Sequence, residues 1–282
     1  MAVKILTDSG CDLPKSLQKE LDIEVLPLIV YLDDKEYHDG EIDPHYFFDA
    51  MRGGAKTRTA QIEAHVFEEV FTRCAQNGDE VLYIAFSSGL SGTYQTSELV
   101  KRDILEKYPD FKLTIIDSKA ASIGFGLIVY YAAKLAKEGK SLDEIVQVTN
   151  ENKNHMEHIF TVDDLEYLYR GGRVSRGAAV VGSMLNIKPI LDVEDGKLIP
   201  IQKIRSRKKA IKRMIDIMDE RGVNLDNQVI GINHGDDLTA AEEIRDLIVE
   251  KYGTKDFILN YVGCAIGAHS GPGTLSVFFL NK

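Results

Sequence analysis

In the first half of the chain, short apolar runs alternate with longer amphipathic stretches. Residues 3–6, 80–86 and 113–117 are compact apolar runs and read as buried strands. Residues 23–31 read as one strand bent at Pro27. Helical spacing predicts helices over 14–21, 44–51, 64–75, 94–107 and 124–137, the second opened by Asp43 as cap with Pro44 behind it. Strands that alternate with helices predict an α/β fold with a mainly parallel sheet and helices on both faces.

The second half follows another pattern. A helix over 142–152 leads into a strand over 158–162, and the organisation changes there. The expected division is an N-terminal α/β domain over 1–157 and a C-terminal α+β domain over 158–282. A helix over 164–169 stops at Gly171-Gly172. Residues 178–185, small and apolar, read as another. Residues 189–194 and 197–203 read as two strands joined at Asp195-Gly196, a strong hairpin signal. A helix over 207–220, a strand over 228–233 and a helix over 239–252 follow. Strands over 256–262 and 274–280 then flank a glycine-rich loop.

The chain has 282 residues, 44% hydrophobic and 28% charged, which suits a folded protein with a sizeable core. Its net charge of −10 speaks against general nucleic-acid binding. Cys11, Cys74 and Cys264 show no paired spacing, which fits a reducing compartment and no metal or disulfide framework. No signal peptide is expected from the polar turn after residues 1–6, and the longest nearly uncharged run, 120–133, is broken by two glycines and too short to span a bilayer. A cytoplasmic protein is expected.

Chemistry concentrates where the strand over 80–86 hands over to a helix, at Ser87-Ser88-Gly89-Leu90-Ser91-Gly92-Thr93. Ligands bind in such crevices of α/β sheets. Free amides and hydroxyls at a helix start suit an anion, though Ser and Thr also cap helices routinely. Three more segments stand out: Thr7-Asp8-Ser9-Gly10-Cys11-Asp12-Leu13-Pro14, then Tyr169-Arg170-Gly171-Gly172-Arg173-Val174-Ser175, then Gly267-Ala268-His269-Ser270-Gly271-Pro272-Gly273. With the serine loop, and in this order over essentially the whole chain, they resemble the DegV family of bacterial fatty-acid-binding proteins.

That resemblance implies two domains with one long-chain fatty acid between them, and for many members a role as the lipid-carrying subunit of a fatty acid kinase. It implies that Thr59, Ser91 and His269 hydrogen-bond the carboxylate. Around Thr59 the family usually reads Thr-Ser-Gln-Pro, and here Ala60 and Ile62 replace Ser and Pro. Arg173, in an intact Gly-Gly-Arg-hydrophobic-Ser pattern, is expected to contact a partner or phosphate; a charge favoured at a helix C-terminus is the plain alternative. No cofactor is implied.

The residues leave other readings open. Ser91 and His269 could form an acyl hydrolase with Asp8 or Asp117 orienting the histidine, although no G-x-S-x-G elbow is present. The protein could also carry another acid without any kinase. Arg52-Gly53-Gly54-Ala55-Lys56-Thr57 misses the phosphate-loop pattern, so an ATP site would belong to another protein. His155 and His158 lack partners for zinc, and His38, His45, His65 and His234 read as surface residues. The basic run Lys203, Arg205, Arg207, Lys208, Lys209, Lys212 and Arg213 could face an acidic partner or anionic headgroups at a membrane surface, or be a solvated face.

Overall fold

The computed structural model describes residues 3–175 and 187–282. The helix expected over 178–185 lies outside them. Four strands form a parallel sheet in the order β2-β1-β6-β7: β1 is Val3–Asp8, β2 Ile23–Leu26, β6 Glu80–Ala85 and β7 Leu113–Asp117. Residues 81–86 are all buried, as a strand covered on both faces requires. Alternation sorts them: Val81, Tyr83 and Ala85 face one core cluster with Phe67 and Phe71, while Leu82 and Ile84 face another with Phe125 and Leu127. Helices α3 (Ala64–Asn77) and α4 (Thr93–Lys107) cover the first face; α5 (Ser122–Lys137) covers the second.

Residues 23–31 are two strands, not the expected bent one. After Pro27 the chain leaves the parallel sheet and enters a small antiparallel sheet, β4-β3-β5, with β3 Ile29–Leu32, β4 Lys35–His38 and β5 Thr57–Ala60. Proline has no amide to continue the ladder. Both flanking strands are polar and partly exposed, so no buried face marks them in the sequence. Two helices precede α3: α1 (Lys15–Glu20) and α2 (Pro44–Arg52). Asp43 caps α2, taking the Tyr46 N–H at 3.0 Å.

The third sheet is mixed, in the order β10-β9-β8-β13-β11-β12. It contains β8 (Met156–Thr161), β9 (Ile187–Glu194), β10 (Lys197–Arg205), β11 (Val229–His234), β12 (Asp256–Tyr261) and β13 (Leu275–Leu280). The β9–β10 hairpin turns at Asp195-Gly196, both with positive φ. The two helices α8 (Arg207–Arg221) and α9 (Leu238–Tyr252) share a core cluster with this sheet. Helix α5 also meets it: a Cβ on Gly124 would lie 2.5 Å from His158 Nε2 and 2.7 Å from the Phe278 ring. Among the described residues the remaining helices are α6 (Leu142–His155), opened by a Ser141–Glu144 capping box, α7 (Glu166–Arg170) and α10 (Cys264–Ser270). The architecture is an α/β fold with a four-stranded parallel sheet flanked by helices and a C-terminal mixed-sheet region.

Candidate functional site

A cavity of about 200 Å³ opens between the serine loop, α10, the β9–β10 hairpin and the inner face of β8 and β13. Leu28, Phe86, Leu90, Phe160, Leu198 and Phe278 supply much of its apolar wall. Thr59, Ser91, Arg173 and His269 all line it.

Each of the four arrives by a different element. Thr59 sits in β5 opposite Val30 of β3, so the small sheet sets its direction. Its Oγ1 lies 2.7 Å from His269 Nε2. His269 lies in the last turn of α10, where a loop was expected. Alanine, cysteine and isoleucine at 264–266 are buried or half-buried, and they wind the segment into a helix before Gly271 ends it. Ser91 lies in the loop between β6 and α4; its Oγ is 2.9 Å from Thr93 Oγ1 and accepts the Thr93 N–H at 3.3 Å. Ser91 therefore both meets the first amide of α4 and lines the wall.

Arg173 follows the Gly171-Gly172 stop. Its Nε and Nη2 donate to the Leu90 carbonyl at 3.1 and 2.8 Å, and Nη1 donates to the Gly171 carbonyl. Among the described residues no carboxylate pairs with it. Burial of the guanidinium lowers its pKa. Burial, and next the nearby Arg173 charge, push His269 down to about 3. His269 Nδ1 is buried and has no hydrogen-bond partner among the described residues. A Cβ on Gly171 would fall on that nitrogen, so only glycine leaves room for the ring. One cation, one neutral imidazole and two hydroxyls thus share the cavity, an arrangement that can receive an anion's oxygens.

The hydrolase arrangement is not assembled. His269 Nε2 meets Thr59, and Ser91 meets Thr93. Asp8 instead accepts from Tyr83 and the Phe86 amide. Asp117 accepts from Ser88 at 2.5 Å and pairs with Lys119.

Other residues were missed by the sequence reading. His158 is buried in β8 and lines the cavity with Phe160, on the same face two residues on. That spacing was the available signal. Burial lowers its pKa to about 4, and its Nδ1 lies 3.1 Å from the Met156 carbonyl. His234 is buried too, where a surface residue was expected; its Nδ1 accepts the Asp237 N–H ahead of α9. Within the basic run, Arg207 pairs with Asp163 and Asp237, and Arg213 with Glu220. Lys203, Arg205, Lys208, Lys209 and Lys212 are exposed.

Fold and cavity together define an α/β protein that encloses a mostly apolar space between a parallel and a mixed sheet, with an anion-suited polar cluster in its wall. The chain belongs to the DegV family: residues 2–282 match the family model described as "Uncharacterised protein, DegV family". It is 47% identical over 280 residues to a DegV domain-containing protein of Clostridium perfringens, covering 98% of this chain and 96% of that one. Among solved structures it resembles one from Thermus thermophilus described as fatty acid binding of a DegV family protein. There the TM-score is 0.91, identity is 29% and both chains are covered over 100% of their length. It also resembles DegV of Bacillus subtilis, described as a fatty acid binding protein, with TM-score 0.88, identity 29% and both chains fully covered. No helix among the described residues is long and apolar enough to cross a membrane.

Proposed function

We propose that this protein is a cytoplasmic carrier that holds one long-chain fatty acid and presents its carboxylate to a separate kinase subunit. One observation carries the reading: a mostly apolar cavity whose wall gathers Thr59, Ser91, His269 and an Arg173 that meets no carboxylate among the described residues. A tail gains roughly 0.8 kcal/mol per buried methylene, so about sixteen carbons offer on the order of 12 kcal/mol gross. The carboxylate is costly to bury unless donors meet it. Thr59, Ser91 and His269 receive the headgroup. Arg173, held by the Leu90 carbonyl beside the serine loop, stands where it can steady transferring phosphate charge or dock the partner. The acyl phosphate would feed phospholipid synthesis. The fatty-acid binding described for the Thermus and Bacillus relatives supports the cargo.

Native mass spectrometry of the purified protein tests this. A long-chain fatty acid near one per chain is expected, and an empty protein that also refuses added palmitate overturns it. With a kinase subunit and Mg-ATP, Arg173→Ala should lose turnover while still binding palmitate. Loss of binding in that variant would move Arg173 into the headgroup site. Ester hydrolysis by the lone protein, abolished in Ser91→Ala, would replace the carrier with an enzyme.

A further inference from the structure

The segment Thr7-Asp8-Ser9-Gly10-Cys11-Asp12 lines none of the cavity, yet it hydrogen-bonds three segments that border it: the start of the serine loop, the entry to β3 and the start of α10. Asp8 Oδ2 accepts the Phe86 amide at 2.7 Å, and Phe86 opens the loop that carries Ser91. Ser9 Oγ accepts the Leu28 amide at 3.0 Å, at the entry to β3, and β3 pairs with the strand that carries Thr59. Thr7 Oγ1 donates to the Ile84 carbonyl at 3.0 Å.

Helix α10 is held in the same way, from its other end. Asp12 Oδ1 accepts the Gly263 N–H at 3.0 Å, and Asp39 Oδ1 accepts the Ala265 N–H at 3.2 Å. Asp12 Oδ2 also accepts from Ser122 and, at 3.3 Å, from Asn233. Asn260 Nδ2 donates to the Asp12 carbonyl at 2.8 Å. A Cβ on Gly263 would meet the Asp12 carboxyl, and one on Gly267 would lie 2.7 Å from the Phe48 ring. The helix is therefore fixed at its start by two carboxyls, at its middle by an aromatic ring, and at its end by the contact between His269 and Thr59.

Carboxyls at these places are costly. Among the described residues, Asp8, Asp12 and Asp39 have no basic partner. Burial, the dominant cause, raises the pKa of all three, to about 7 for Asp8 and about 6 for Asp39. A serine cap or an apolar contact would be cheaper if stability alone were at stake.

We propose that Asp12 and Asp39 are positioning residues for the headgroup site: they clamp the N-terminus of α10 so that His269, at its C-terminus, meets Thr59 inside the cavity. The consequence for affinity rests on the fatty-acid reading above; the placement of His269 does not. The test therefore has two readouts on the full-length, delipidated protein: the His269 imidazole signals by NMR without ligand, and palmitate affinity by titration. Asp39→Ala should shift the His269 signals and weaken palmitate binding at least tenfold. Asp39→Asn, whose amide oxygen still accepts the Ala265 N–H, should keep native His269 signals and bind within threefold of the parent. Ile248→Ala, a core change on α9 away from the cavity, should lower the melting temperature yet leave both readouts unmoved. If Asp39→Ala does not fold, Asp39→Glu keeps the acceptor but lengthens the arm, and should also shift His269.

Native His269 signals in Asp39→Ala, or in Asp39→Glu where that replaces it, overturn the proposal. So does damage in Asp39→Asn equal to that in Asp39→Ala, or an equal shift of His269 in Ile248→Ala. A parent protein that ignores palmitate defeats the carrier reading instead, and the ligand-free signals still decide the clamp.

Discussion

His269 carries the titratable group placed most directly in the polar wall of the cavity. Burial and the Arg173 charge hold its pKa down to about 3, so it is neutral across the physiological range. A bound carboxylate beside it favours the charged form and should raise that pKa. NMR titration should show His269 signals flat from pH 5 to 8 in the empty protein and titrating within that range once palmitate is bound; identical curves would place the anion elsewhere. The hydroxyls have a simpler role. Ser91→Ala and Thr59→Ala should each weaken fatty-acid binding by about 1–2 kcal/mol, the worth of a hydrogen bond to a charged group. Calorimetric titration checks this, and two unchanged affinities would remove these hydroxyls from the site. The Thr59 change has a second effect, because it also leaves His269 Nε2 without its partner.

At the scale of elements, close approach of backbone to side chain decides the geometry. Gly171 ends α7, and its missing side chain is what lets the His269 ring lie against that turn. Gly171→Ala should displace the ring, destabilise the fold by about 1–3 kcal/mol as an overpacked contact, and weaken palmitate binding. Chemical denaturation with a binding titration checks both effects, and an unchanged affinity would show that the ring finds another place. The hairpin makes a similar approach on the other side of the cavity. A Cβ on Gly89 would lie 2.5 Å from the Gly196 carbonyl oxygen, the same oxygen that accepts from Ser87 Oγ at 2.7 Å. The Asp195-Gly196 turn was plain in the sequence because a type of backbone requires it; its contact with the serine loop, 109 residues away, was not.

The whole molecule couples these parts to pH and to cargo. Asp8 and Asp39 have folded-state pKa values raised to about 7 and 6, so between pH 4 and 7 the folded state binds more protons than the unfolded one. Their contribution therefore falls as pH rises through that window. His158 and His269, lowered to about 4 and 3, act in the opposite direction below pH 6.5 and are silent above it. Denaturation should show less stability at pH 8 than at pH 6.5, with a flatter slope in Asp8→Asn whatever that variant's absolute level. An equal slope would mean that Asp8 stays ionised in the fold. Cargo acts by mass action: palmitate at a hundred times its Kd should add about 2.7 kcal/mol and raise the melting temperature of delipidated protein. No shift at saturating palmitate would count against the cavity as its site.

Read alone, the sequence determined what depends on local pattern. The strand over 80–86, the helix capped by Asp43 and the Asp195-Gly196 turn follow from periodicity and backbone preference, and each stands in the structure. The four motifs were enough to place the chain in its family. Tertiary structure alone decided the rest. The polar strands β4 and β5 exist because β3 lies between them, not through any apolar face of their own. His269 belongs to a helix because Cys264, Ala265 and Ala268 are buried against α2 and the small sheet, which no spacing announces. Thr59 and His269 are 210 positions apart and meet at 2.7 Å only once β5 and α10 are packed together. Local propensity reaches a few residues along the chain, whereas a binding site is a set of long-range contacts that exists only after the layers have closed.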